Sequence, residues 1–173
     1  MSRMHYYIAV PFFLLLYFLQ TTLIWRLSAE NFAPNLLLVA TSVFSFLYNE
    51  RYGLVLGVSF GLLLDITTSP VLGVQALSFL LIFIMVRLFR LILNNEKLLP
   101  NVLMALLATP VGSLLYWAVG RMAGYPTHIK YVFETMPRLL LWHAILAAVL
   151  HLLFVKTVIR HRGDRKFESE FEL

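Results

Sequence analysis

The chain has 173 residues, 60% of them hydrophobic and only 13% charged, with a mean hydropathy of +0.80. Such a composition excludes an ordinary water-soluble domain and marks an integral membrane protein. The net charge of +5 gathers near the ends of apolar stretches and not in an aromatic-rich patch, which argues against a nucleic-acid partner; the absence of cysteine excludes disulfides and thiol chemistry.

The first apolar stretch, 6–25, has the roughly 20 residues needed to cross a bilayer. No small-residue cleavage site follows it, only Arg26-Leu27-Ser28-Ala29-Glu30, so it reads as a retained span and not as a secretory signal. Further spans are expected near 34–48, 52–66, 71–86, 98–120 and 137–159. These make an all-α, polytopic fold of six transmembrane helices in one helical membrane domain over 1–162, followed by a short charged cytoplasmic tail over 163–173. The second and third stretches are short, and either is open to extension by its flanks or to a partly re-entrant path.

Charge sets the expected orientation, because cytoplasmic loops hold the excess of Lys and Arg. With six spans and both termini cytoplasmic, Arg3, Arg51, Arg87, Arg90, Lys97, Lys156, Arg160, Arg162, Arg165 and Lys166 lie inside, and Arg26, Arg121, Lys130 and Arg138 lie outside. Removing the third span reverses that bias. In the six-span arrangement Trp25, Trp117 and Trp142 fall near the outer interface and Tyr6, Tyr7, Tyr48 and Tyr52 near the inner one, as interfacial aromatics should. In the tail, the basic half suits anionic lipid, and the acidic half reads as disordered.

Polar residues within the apolar stretches are the candidates for function. Gly53, Gly57 and Gly61 are spaced by four, a bulk-free helical stripe that lets another helix approach closely, in this chain or a partner. The same spacing continues to Asp65. An intramembrane acid is a functional suspect, but it can also end its helix locally by bonding the amides or hydroxyls of Thr67, Thr68 and Ser69. His143 and His151 are eight apart, too far for a shared metal, and read as buried, hydrogen-bonded side chains. Gln20 and Gln75 suit hydrogen bonds between helices, Thr41, Ser42, Ser45 and Asn49 form a polar stripe, and Pro110 with Gly112 suggests a kink. There is no nucleophile and base arrangement, metal motif or phosphate loop, so no enzyme activity and no cofactor are expected.

Three motifs in order carry a family resemblance: 32–38 (FAPNLLL), 57–65 (GVSFGLLLD) and 72–77 (LGVQAL). The chain resembles the rod shape-determining protein MreD family, in which a Pro-Asn or Pro-Asp pair opens the second span, a G-F-x-x-G-x-x-x-D pattern lies on the third, and an L-G precedes the fourth. The phenylalanine of the second pattern is displaced here, since Phe60 follows Ser59. The resemblance implies a fold like the six-helix substrate-binding subunits of energy-coupling factor vitamin transporters. It also implies a bacterial inner-membrane scaffold or regulator of peptidoglycan elongation, associated with MreC and through it with RodA, a class B penicillin-binding protein and MreB filaments.

On the six-span topology the three motifs meet at the outer leaflet. Pro34, Asn35, Gly57, Gly61, Asp65, Gly73 and Gln75 are accordingly expected to frame an outward-facing pocket or docking groove, with Asn35 and Gln75 as partners of Asp65. The groove would receive a segment of MreC or a lipid head group. The rival reading is a transporter or lipid-handling subunit that binds a small molecule or lipid-linked precursor in the same pocket.

Overall fold

The computed structural model describes residues 6–24, 34–48, 50–93, 97–126 and 128–171. Several expectations fall outside that range: Arg3, Trp25, Arg26, the Phe32-Ala33 start of the first motif, and Asn49. The side chains of Tyr6, Tyr7 and the basic residues from Lys156 onward also lie outside it. The described chain is helical throughout: α1 (Tyr6–Phe18) continuing as a π-helical segment (Leu19–Ile24), α2 (Leu36–Leu47), α3 (Glu50–Thr68), α4 (Val74–Phe89), α5 (Leu98–Met122) and α6 (Ile129–Phe171). Three of these, α3, α5 and α6, are long and apolar enough to cross a membrane.

The two short stretches resolve differently. α3 has 19 residues, about 28 Å at helical rise, close to the roughly 30 Å of a hydrocarbon core. α2 has only 12 residues, about 18 Å, and it sits in the middle of the bundle, touching α1, α3, α4, α5 and α6. Residues Leu37 to Leu47 are all buried. A helix buried among the others along nearly its whole length need not match lipid thickness, which explains how it can be so short.

The last helix starts at Ile129, eight residues before Pro137, where a span was expected to open. Proline favours a first helical turn because it lacks an N–H, but here Pro137 lies inside the helix. The carbonyl it leaves without a helical donor belongs to Phe133, which is exposed. The added turns are held by the Lys130–Glu134 ion pair at 3.5 Å, four residues apart, and by Thr135 donating its hydroxyl proton to the Tyr131 carbonyl. At its other end the helix continues to Phe171, so the segment expected to be a disordered tail is helical.

Two seams organise the core. At one end of α2, rings pack edge to face: Phe13 on Phe44 at 5.6 Å and Phe12 on Phe154 at 4.9 Å. Tyr48 donates its hydroxyl proton to the Phe154 carbonyl at 3.0 Å, closing that end of the bundle. Along the length of α3 the glycines face inward. A methyl group on Gly57 would lie 2.6 Å from Thr41 Cγ2, and one on Gly61 would lie 2.9 Å from Ala76 Cα. A methyl group on Gly53 would collide with the Ser45 side chain. The glycine stripe therefore brings α3 against α2 and α4 of its own chain, and its face is already occupied.

Such close approach has a polar side effect. Thr41 and Ser45 are buried, and their hydroxyl oxygens accept no hydrogen bond among the described residues. They rest on Gly57 and Gly53, where the available donors are Cα–H groups, individually weak but recurrent between closely packed helices.

Candidate functional site

The end of the bundle opposite the aromatic closure gathers the start of α2, the end of α3, the start of α4 and facing halves of α5 and α6. Asp65 is fully buried there. Its carboxylate accepts from the Gln75 amide, 3.0 Å to each oxygen, and from the Ala76 amide at 3.2 Å. Both are first-turn N–H groups of α4, which have no intrahelical partner of their own. The residue preceding that helix, Gly73, adopts φ +91° and supplies no side-chain cap. Asp65 thus caps the next helix from across the chain reversal, placing its carboxyl oxygens at the positive end of the α4 dipole. This differs from the local alternative, in which Asp65 would bond to the residues just after it: Thr67 and Thr68 donate instead to carbonyls of Leu63 and Leu64 in their own helix.

From α4 the network runs on through side chains. Gln75 Oε1 accepts from Asn35 Nδ2 at 3.1 Å, and Asn35 Oδ1 caps α2 by accepting from the Leu38 amide at 2.9 Å. The Asn35 amide donates to His143 Nε2 at 3.0 Å, and His143 Nδ1 lies 2.7 Å from Thr109 Oγ1. The roles along this chain are determined. Nε2 faces a backbone N–H and must accept, so the ring proton sits on Nδ1; Thr109 accepts it and donates onward to the Ala105 carbonyl at 2.8 Å. Next to this, Gln20 in the π segment accepts from the Leu36 amide at 2.7 Å. Local π geometry often accompanies functional sites, and here it places the side chain that completes the α2 cap.

Pro34, Asn35, Asp65, Gly73 and Gln75 are therefore brought to one end, with Asn35 and Gln75 bonded to each other. Asn35 reaches Asp65 only through Gln75, whose backbone and not its side chain serves the acid. Gly57 and Gly61 belong to the seam below. His143 is hydrogen-bonded at both ring nitrogens, whereas His151 is buried with Nδ1 unpartnered among the described residues. No group of three or more potential metal ligands occurs among the described residues.

Beside the network lies a cleft of about 730 Å³, within the usual size of small-molecule sites, roughly 300–1,000 Å³. Gln20, Asn35, Gln75 and His143 form part of its wall; Asp65 stands behind it. The remaining wall was not anticipated from sequence: Thr109, Ser113, Tyr116 and Trp117 on α5, and Tyr131 and Thr135 on α6. A signal existed, since 109, 113, 116 and 120 share one helical face, as do 131, 135, 139 and 143. Hydroxyls, amides and aromatic rings recurring along one stripe of an apolar helix mark a polar face that avoids lipid.

No curated protein and no solved structure matches the chain. The family model described as rod shape-determining protein MreD matches residues 1–159, covering all six helical segments up to the last turns of α6. The chain belongs to the MreD family.

Proposed function

We propose that the chain is a non-enzymatic scaffold or regulator of cell-wall elongation in the bacterial inner membrane. In this reading it crosses the membrane six times with both termini cytoplasmic, and it maintains rod shape through MreC, with RodA, a class B penicillin-binding protein and MreB filaments reached indirectly. Family membership supports the role in shape determination, and the asymmetric distribution of Lys and Arg supports the orientation.

The observation that carries the reading is that the three sequence motifs are spent on one another. Asp65 holds the start of α4, Gln75 on α4 holds Asn35, and Asn35 holds the start of α2. An acid engaged in this way builds a shaped end of the bundle. On the proposed topology that end faces outward, where the periplasmic partner would meet it.

Co-purification with MreC and restoration of rod shape in cells lacking the native copy test the reading. Paired substitutions on the exposed extension of α6 above the cleft, Phe133→Ala with Ile129→Ala, should leave protein level unchanged while reducing recovery of MreC several-fold. Full recovery of MreC and normal rods with that double variant would remove this end as the docking face. A wild-type chain that never retains MreC would remove the scaffold reading altogether. The cleft itself favours a second reading, a subunit that binds a small molecule or lipid-linked precursor.

A further inference from the structure

The cleft walls bear on what such a ligand would be. Among the described residues no Asp, Glu, Lys or Arg contributes to them, and the nearby acid, Asp65, is committed to the α4 amides. A charged ligand entering this low-dielectric end would leave its charge without a counter-ion, which is costly. A purely apolar ligand fits no better, since it would strand the side-chain N–H groups of Gln75 and the hydroxyl of Ser113. Gln75 Nε2 and Ser113 Oγ make no hydrogen bond among the described residues, leaving a donor on α4 and a hydroxyl on α5 for an incoming group. Around them stand the rings of Tyr116, Trp117, Tyr125 and Tyr131. Aromatic faces beside neutral donors and acceptors suit a molecule with apolar ring faces and a hydroxylated edge.

We propose that the cleft binds an uncharged sugar, either free or as the head group of a glycolipid. This deepens the second reading above by naming its ligand class, and it stands independently of the scaffold role. Gly120 provides the means to test it. It lines the cleft, and a Cβ placed on it meets nothing within 4 Å, so Gly120→Leu should plug the cleft without disturbing the packing.

The experiment uses the full chain in nanodiscs free of sugar detergents and follows tryptophan fluorescence. The probes are glucose, N-acetylglucosamine, maltose, octyl glucoside below its micelle concentration, and glucuronate as the charged counterpart of glucose. At least one neutral probe should bind saturably. Binding should weaken at least tenfold in Gly120→Leu at unchanged melting temperature, and glucuronate should bind at least tenfold more weakly than its neutral counterpart. Octyl glucoside binding tenfold tighter than glucose identifies a lipid-borne head group, and equal affinity identifies a free sugar; both uphold the proposal. Absence of saturable binding by all four neutral probes overturns it, as does binding that the plug leaves unchanged or glucuronate that binds equally well. Recovery of MreC is measured on the same variant, so that loss of sugar binding with MreC retained separates this proposal from the scaffold role.

Discussion

The glycine seam and the cleft use the same residue for opposite ends. At Gly57 and Gly61 the neighbouring helices come so close that a single methyl group would lie 2.6–2.9 Å from atoms of Thr41, Phe79 and Ala76. At Gly120, in the apolar α5, the same methyl group would meet open space. Small residues in membrane helices are therefore not evidence of tight packing by themselves. What distinguishes the two is the partner, since the seam faces a buried helix and Gly120 faces a void walled by amides, hydroxyls and rings.

The contrast can be broken most severely at the polar knot between the two regions. Asp65→Ala leaves the Gln75 and Ala76 amides without their acceptor and should cost about 3 kcal/mol, lowering the melting temperature of the purified protein and its level in the membrane. Asp65→Asn keeps an acceptor oxygen and should lose about half as much. Equal melting temperatures for the Ala variant and the wild type would show that the cap contributes nothing.

Within the seam, Gly61→Ala forces α4 away and should cost roughly 1–3 kcal/mol by overpacking, read as a lower melting temperature. Gly73→Ala tests backbone conformation alone: its φ of +91° disfavours any side chain, although a Cβ there meets nothing within 4 Å. The expected loss is about 1 kcal/mol. Smallest and opposite in sign, Gly120→Ala should gain roughly 0.5–1 kcal/mol by stiffening the unfolded chain. A destabilised Gly120→Ala, or a neutral Gly61→Ala, would erase the distinction between seam and cleft.

Sequence made much of the fold legible, because runs of apolar residues report which segments avoid water. It could not show that α2 is the central helix, since hydropathy does not separate burial in lipid from burial in protein. The hint was Thr41, Ser42 and Ser45, whose hydroxyls belong inside a bundle. Pro137 misplaced the start of α6 because its tolerance inside a helix depends on the surroundings of the residue one turn earlier, here the exposed Phe133. The site was half legible. The motifs pointed to one end and to Gln75 as a partner of Asp65, while the alternative sought partners within four residues; neither foresaw that the acid's donors would be backbone amides. Its donors arrive ten and eleven residues later, after the reversal through Pro70 and Gly73. The cleft walls on α5 and α6 lacked a family-like motif to draw attention to them, although their four-residue spacing was present.

The cap that Asp65 places on α4 also sets an order of events during synthesis. When α3 has left the ribosome but Ala76 has not, the acid at the end of that helix has no amide to bind, and it resists entering lipid. The emergence of α4 supplies both donors at once and neutralises the penalty. The acid is therefore satisfied only once α3 and α4 are both present, and a chain that ended between them would leave Asp65 without its two amide donors.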